Sequence, residues 1–285
     1  MYLLVSFFFG LESWSQNNKP FLKNSSRSGE KENSVTLGIE PSVLFPGNIF
    51  NPSSSSVENL NARTSFSQKT LISLKAGISL RYDLFRIKKS ALTNQFSLNT
   101  GLFYVHRRFN MVITEKNSLQ EVIFDASEKL NFVSYEIPLT LQIQIRASET
   151  IWLNAGMGMG LEFFPSHAYV PDDALQNPDQ EGYWVCYMAR KNLFVPGFKM
   201  FFGTERRTVK IGYFYLGLAF HQPIPAVAQA YWRYNRSGQS IHPYPDQEHF
   251  FGNPDIPVRI VGNYFALEFK YFFRPSKPSR SLVAP

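Results

Sequence analysis

Apolar and polar residues alternate strictly along several stretches of the chain. Residues 72–84 and 133–145 together place isoleucine, leucine, valine, tyrosine and alanine on one phase and, apart from Pro138, serine, glycine, threonine, glutamine and charged residues on the other. An alternation of period two predicts β-strands with two unlike faces. The same rule predicts six further strands, of which 194–202 and 209–220 carry aromatic residues on both phases: 35–45, 95–105, 153–163, 194–202, 209–220 and 264–273.

The predicted strands are long, and the connections between them alternate in length. Each strand has 9 to 13 residues, whereas membrane-spanning strands need about 9–11 and globular strands usually have about 5–6. Four connections of 26 to 43 residues (46–71, 106–132, 164–193 and 221–263) alternate with three of 6 to 10 (85–94, 146–152 and 203–208). Long extracellular loops and short periplasmic turns are typical of outer-membrane barrels.

These patterns predict an all-β fold, an eight-stranded antiparallel up-and-down transmembrane β-barrel over residues 34–273. The apolar phase then faces lipid, and the strands must close on themselves because no water can satisfy an open edge. A soluble lipocalin-like barrel is the alternative, but the many small residues on the polar phase suit a crowded interior better. Aromatic residues toward the strand ends predict interfacial girdles: Tyr82, Tyr104, Tyr135, Phe163, Tyr213, Tyr215, Tyr271 and Phe273. Pro41, Pro138 and Pro196 are expected at bulges or at the rim.

Charged residues inside the predicted strands fall on the polar phase, five of each sign. Eight strands enclose an interior that side chains fill, and buried charges need partners. The sequence therefore predicts a closed luminal salt-bridge network instead of a channel, formed by Glu40, Lys75, Arg81, Asp83, Glu136, Glu162, Lys199, Lys210, Glu268 and Lys270.

The two ends of the chain differ from its middle. Residues 3–10 are apolar and are followed by Ser13-Trp14-Ser15, the form of a signal peptide with a small-x-small cleavage site. We expect a signal peptide over residues 1–15, a flexible leader over 16–33 and a C-terminal tail over 274–285, with both termini of the mature protein in the periplasm.

Composition removes several function classes. The single cysteine, Cys186, excludes internal disulfides and a cysteine-based zinc site. No apolar run is long enough for a membrane helix, and the net charge of +7 is spread without a basic stripe, which argues against nucleic acid. His106 and His221 are expected at the extracellular rim, where a lipid-modifying enzyme would need them. No nucleophile accompanies them, so we expect neither an enzyme nor a cofactor.

The long connections carry acidic and aromatic residues. Acidic segments at 172–173, 178–181 and 245–248 offer oxygen ligands for calcium, but their spacing fits polar turns better. The aromatic residues exceed what a solvated loop needs and predict a cap on the barrel mouth or a contact surface for a protein or glycan: Tyr231, Trp232, Tyr234, Tyr244, Phe250 and Phe251.

One family resemblance rests on consecutive strands. Tyr135-Glu136-Ile137-Pro138-Leu139, the glycine-rich segment 153–158 and the aromatic closing segment 265–273 resemble the outer-membrane β-barrel family of Bacteroidota that includes PorT-like, porin-family proteins. The resemblance covers residues 34–273 and implies a location in the bacterial outer membrane, with its lipid as a partner.

For function, we expect a structural or adhesive interaction role through long extracellular loops. An accessory role in an envelope or secretion machine, as in PorT-like proteins, is the alternative. A lipid-modifying rim enzyme and a small-solute pore are less favoured.

Overall fold

The computed structural model describes residues 34–47, 57–58, 64–89, 92–116, 119, 121–169, 182–208, 211–236 and 256–273. The expected signal peptide (1–15), leader (16–33) and tail (274–285) lie outside these residues. Within them, no helix is long and apolar enough to cross a membrane. The strands are β1 (Val35–Pro46), β2 (Val57–Glu58), β3 (Thr64–Lys89), β4 (Leu92–Lys116), β5 (Val122–Arg146), β6 (Ile151–Phe163), β7 (Ala168–Tyr169), β8 (Gly182–Arg190), β9 (Phe194–Thr208), β10 (Gly212–Pro223), β11 (Ala228–Arg236), β12 (Ile256–Ile260) and β13 (Tyr264–Phe272).

Eight of the strands form a closed antiparallel ring. Following the chain, β1, β3, β4, β5, β6, β9, β10 and β13 each pair with the next. The ring closes where β13 pairs with β1, with Phe45 opposite Phe265. Each of the eight segments predicted from alternation corresponds to one of these strands, although β10 begins only at Gly212 and β13 ends at Phe272. The predicted all-β fold and the antiparallel order of eight strands are therefore confirmed.

Three neighbouring strands are about twice as long as predicted. β3, β4 and β5 have 26, 25 and 25 residues, and the β4–β5 pairing continues to Lys116 opposite Val122. The expected long connection at 106–132 was therefore wrong for residues 106–116 and 122–132, and the one at 46–71 was wrong for residues 64–71. We call the part of the sheet beyond the ring, made of β2 with residues 64–71 of β3, 107–116 of β4 and 122–132 of β5, the projection.

The short connections are also tighter than expected. β9 continues to Thr208, which pairs with Gly212, so the predicted turn at 203–208 was wrong. Gly212 has a φ of 122°, a conformation that suits glycine because it has no Cβ. The alternation of Glu205 and Arg207 with their neighbours continues the strand up to this turn.

Two of the predicted loops contain a second sheet. Strands β7, β8, β11 and β12 pair in the order β12-β11-β8-β7, with β7 beside β5 and β12 beside β2. Buried apolar side chains lie in this sheet and in the projection: Phe109, Met111, Ile113, Leu130, Phe132, Met188, Ala228, Ala230 and Ile260. The chain therefore has an ordinary hydrophobic core beyond the ring, where long loops were expected.

Candidate functional site

Burial inside the ring is the reverse of an ordinary soluble protein. Outward residues such as Ile78, Leu139 and Met157 are 53%, 55% and 62% exposed. Inward residues such as Lys75 and Glu136 are at most 1% exposed. Since buried ions are costly unless paired, the chemistry of the interior depends on how these groups meet.

The middle of the interior holds a central cluster of three lysines and three glutamates from five strands: Glu40, Lys75, Glu136, Lys199, Glu268 and Lys270. Glu268 forms ion pairs with all three ammonium groups, at 3.3 Å from Lys75, 2.8 Å from Lys199 and 2.9 Å from Lys270. Glu40 lies 2.9 Å from Lys75 and 3.1 Å from Lys270. Glu136 lies 3.5 Å from Lys199 and 4.0 Å from Lys75. The cluster is electrically balanced, and each lysine has at least two carboxylate partners.

Aromatic rings form part of the wall around this cluster. The Lys75 ammonium lies 4.6 Å from the centre of the Phe103 ring, and the Lys270 ammonium lies 4.8 Å from that of Phe201. Gly77 and Gly101 leave the space that the Phe103 ring occupies, because a Cβ at either position would come within 2.7 Å of it. Cations over aromatic faces gain electrostatic stabilisation, so glycine on the inward phase serves to admit a ring beside the lysines.

A second cluster lies toward the short turns. Arg81 and Arg207 both pair with Glu205, each at 2.5 Å. Arg207 also donates to Gln95 at 2.9 Å and to Gln144 at 2.5 Å. The Arg207 guanidinium also stacks on the Trp152 ring at 4.0 Å. The two guanidinium groups share one carboxylate, and Arg207 is stabilised further by the two amide side chains and by Trp152.

The third cluster lies toward the long-connection end. Arg107 pairs with Glu162 at 2.8 Å and donates to Ser134 at 2.5 Å. His221 approaches the same Glu162 oxygen at 2.6 Å, and its ring stacks on Tyr264 at 4.9 Å. The Tyr264 hydroxyl donates to Glu136 at 2.5 Å, which joins this cluster to the central one.

Three of these residues have the side chains of a metal site. Glu136, Glu162 and His221 each offer a ligand atom, and the three atoms lie within 4.8 Å of one another. Both carboxylates, however, already face cations, Arg107 for Glu162 and two lysines for Glu136. A divalent ion would add two charges to a buried cluster that is already balanced, so these residues fit an ion-pair network better than a metal centre.

The structure brings together most of the predicted luminal charges. Eight of the ten make ion pairs in the three clusters: Glu40, Lys75, Arg81, Glu136, Glu162, Lys199, Glu268 and Lys270. Asp83 is half-buried and instead accepts hydrogen bonds from Ser34 at 2.6 Å and Ser97 at 2.8 Å. Lys210 lies outside the described residues.

The phase assigned to β10 was wrong. Tyr215, expected in a girdle, is 4% exposed inside the ring, whereas Phe214 and Leu218 face outward. Because aromatic residues occupy both phases of this strand, the two phases do not differ enough in hydrophobicity to predict which one faces inward. The same reversal moves His221, expected at the rim, to a fully buried inward position.

Four members of the network lie just beyond the predicted segment ends: Arg107, Glu205, Arg207 and His221. Each continues the inward phase of its strand in the structure. Extending the alternation through charged residues, instead of ending strands at them, would have found Arg107, Glu205 and Arg207.

The other candidate positions have simple environments. His106 lies in β4 between Leu74 and Val133 of the neighbouring strands. His167 accepts a hydrogen bond from the Arg190 backbone at 3.1 Å, and partial burial together with the Arg190 charge lowers the pKa of His167. Cys186 lies in β8, with its backbone opposite Trp232. The acidic segments 172–173, 178–181 and 245–248, together with His242 and His249, lie outside the described residues.

The interior is well filled. A cavity beside the central cluster, lined by Glu40, Phe103, Lys199 and Lys270 among others, has a volume of about 20 Å³, roughly the room that one water molecule needs.

A comparison with protein-family models gives no match, and a comparison with curated proteins gives no significant relative. Function must therefore be argued from the geometry of this chain.

Proposed function

We propose that this chain is an outer-membrane β-barrel with a closed lumen, which acts through interactions of the projection and of the second sheet. The carrying observation is an inversion of polarity along single strands. Within uninterrupted strands, the outer face is apolar in the ring, which suits lipid, and polar in the projection, which suits water.

Strand β5 has the clearest inversion. From Tyr135 to Ile145 its outward residues are apolar and its inward residues are polar or charged, apart from Pro138. In the projection its inward residues Leu130 and Phe132 are apolar and buried, while Lys129 and Asn131 are outward and exposed. A soluble sheet has no reason to exchange its two faces between residues 132 and 134. A strand that leaves hydrocarbon at this point must exchange them, because its outer face then meets water instead of lipid.

Strand β4 inverts at the same level. Leu102 and Tyr104 are exposed on the outward face. Beyond Arg107, the inward residues Phe109, Met111 and Ile113 are apolar and fully buried, whereas Arg108 is outward and exposed. On β4 the inward apolar residues begin at Phe103 and Val105, inside the ring, but the outward face becomes charged at Arg108. Because Arg108 lies opposite Asn131 on β5, the outward faces of the two adjacent strands change at the same level.

The height of the apolar face agrees with a bilayer. Ten residue steps separate Tyr135 from Ile145, about 34 Å along the strand, and a tilt of about 45° reduces this to about 24 Å. Transmembrane barrels have an outward apolar band about 25 Å tall.

Aromatic residues mark the boundary of this band. On the outward face at the long-connection end, seven of the eight ring strands carry one: Phe45, Tyr104, Tyr135, Phe163, Phe194, Phe220 and Phe265. Cross-strand neighbours are in ring contact, at 6.0 Å for Tyr104–Tyr135, 6.3 Å for Tyr135–Phe163 and 5.4 Å for Phe163–Phe194. A second group at the short-turn end includes Phe85 with Phe96 and Phe214 with Tyr271. Two such girdles are expected at membrane interfaces.

The filled interior and the asymmetric connections support an interaction role. Ion pairs and aromatic rings occupy the space that a pore would need. At one end β3 stops at Lys89 and β4 begins at Leu92, whereas the connections at the other end are much longer. By the outer-membrane pattern, the short turns and both termini are periplasmic, and the projection and second sheet are extracellular. Only the sequence resemblance supports membership in the PorT-like family. An accessory role in a secretion machine would be indicated by an envelope complex that co-purifies stably with the protein.

Cell fractionation and gel mobility test the proposal. The protein is expected in the outer membrane after carbonate extraction. It should also run faster on a gel when unheated than when boiled, because a closed hydrogen-bonded barrel resists detergent. A monomeric protein recovered in the carbonate-soluble fraction, with the same mobility before and after boiling, would refute the membrane assignment.

A further inference from the structure

The outward face of the projection carries three basic side chains directly beyond the apolar band. Arg108 on β4 lies opposite Leu71 of β3 and Asn131 of β5. In the next row outward, Asn110 lies opposite Lys69 and Lys129. Arg108, Lys69 and Lys129 are all exposed. We call these three residues the basic patch.

The height of the basic patch corresponds to lipid headgroups. The Arg108 row lies two residues beyond Val133, which continues the outward apolar face of β5 past Tyr135, and is about 5 Å above Val133 at the strand tilt used above. The Lys69–Lys129 row is about 5 Å higher. Headgroup regions add roughly 5–8 Å on each side of the hydrocarbon, and long lysine stems can reach down toward that level.

The local charges leave the patch positive. Among the described residues, Lys69 and Lys129 make no ion pair, and the Arg108 guanidinium donates only to the Ile72 carbonyl oxygen, at 2.6 and 2.9 Å. A described acidic residue on the same face, Asp125, lies four residues beyond Lys129 and accepts a hydrogen bond from Thr114. Positive charge is therefore concentrated next to the band, and the negative charge of Asp125 lies nearer the tip.

We propose that the basic patch binds phosphate groups of an anionic lipid in the leaflet at the long-connection end. This inference rests on the proposed membrane assignment. Arginine and lysine form charge-assisted hydrogen bonds with phosphate oxygens, and basic residues at a membrane surface each contribute about 1 kcal/mol to the attraction of anionic lipid. A phosphorylated glycolipid of the lipid A type, with two phosphates on one headgroup, fits two rows of cations.

Lipid titration of the folded protein in neutral detergent micelles tests the site. Native mass spectrometry would measure apparent Kd values for diphosphorylated lipid A, the same lipid without phosphates, phosphatidylglycerol and inorganic phosphate. The parent protein should bind diphosphorylated lipid A most tightly. Loss of about fivefold per removed charge predicts a roughly 100-fold weaker Kd for the Lys69→Gln/Arg108→Gln/Lys129→Gln variant.

Two matched variants control for charge and position. Lys69→Arg/Lys129→Arg keeps the charge and should keep the affinity. Lys116→Gln removes a lysine from the far end of β4, remote from the band, and should change the Kd less than twofold, compared with about fivefold for Lys129→Gln.

Three outcomes would overturn the basic patch as a lipid site. These are equal lipid affinity of the parent and the triple variant, equal binding of the dephosphorylated lipid, and binding of inorganic phosphate without lipid. If the protein is carbonate-soluble and shows no heat-dependent mobility, the membrane proposal fails first. If it behaves as a barrel but the triple variant binds lipid like the parent, only the basic patch is refuted.

Discussion

Neutralising Glu268 is expected to be the most destabilising single loss of charge in the interior. Glu268 is fully buried and lies within 3.3 Å of three ammonium groups. Glu268→Gln preserves the size of the side chain and leaves three lysines with only Glu40 and Glu136. Removing one partner of a buried ion pair usually costs about 3–5 kcal/mol. Since each lysine keeps at least one other carboxylate, we expect a loss of about 3 kcal/mol in the free energy of unfolding.

A double-mutant cycle separates charge balance from packing. Lys199 depends on Glu268 at 2.8 Å and on Glu136 at the longer distance of 3.5 Å. Adding Lys199→Met to Glu268→Gln restores equal numbers of positive and negative charges. The double variant should therefore be more stable than Glu268→Gln alone, with a coupling energy of about 1–3 kcal/mol.

Urea unfolding in detergent or lipid vesicles, followed by tryptophan fluorescence, measures these differences. Glu149→Gln, an exposed position in the turn between β5 and β6, is the matched control and should change stability by less than about 0.5 kcal/mol. A Glu268→Gln protein as stable as the parent would mean that these charges are solvated. A double variant no more stable than the single one would mean that the lysines do not depend on charge balance.

Three further predictions test the proposed placement in the membrane. Leu139→Lys, in the middle of the apolar band of β5, should reduce the free energy of unfolding by about 2–4 kcal/mol, whereas Ser127→Lys, outward on the same strand but in the projection, should change it by at most about 1 kcal/mol; equal effects would contradict the band. In a Cys186→Ser background, an impermeant maleimide should label Ser127→Cys on intact cells and label Glu149→Cys only after the membrane is opened; the reverse pattern would invert the topology. Reconstituted protein should show no steady ion conductance in planar bilayers, and stable openings of the unmodified protein would refute the closed lumen.

Strand positions could be read from the sequence because the ring imposes two opposite environments on alternate residues. Strand lengths could not. In β4 and β5 the alternation continues past Arg107 and Phe132, but the apolar phase moves from the outer to the inner face. When one constant apolar phase is assumed, a strand is predicted to end where its environment changes. The boundary between the two environments is therefore mistaken for the end of the strand.

The members of the interior network were predictable, but their pairing was not. Alternation tells that Lys75 and Glu268 face inward, since each sits on the polar phase of its strand. Which inward residues share a level depends on the stagger between strands, and that is fixed only by the pairing register, such as Ser42 opposite both Lys75 and Glu268. Asp83 is the converse case, because two nearby serines satisfy it and it needs no distant cation.

The continuity of β3, β4 and β5 from the ring into the projection has a mechanical consequence. The β4–β5 ladder extends from Asn94 opposite Ile145 to Lys116 opposite Val122, and β3 flanks β4 along nearly the same length. A pull on the tip of the projection, directed away from the ring, acts along these strands and loads many backbone hydrogen bonds together in shear. A flexible loop would instead stretch before it transmitted any load. An attachment made at the tip would therefore pass tension directly into the wall of the ring, as a rigid strut does and a flexible tether does not.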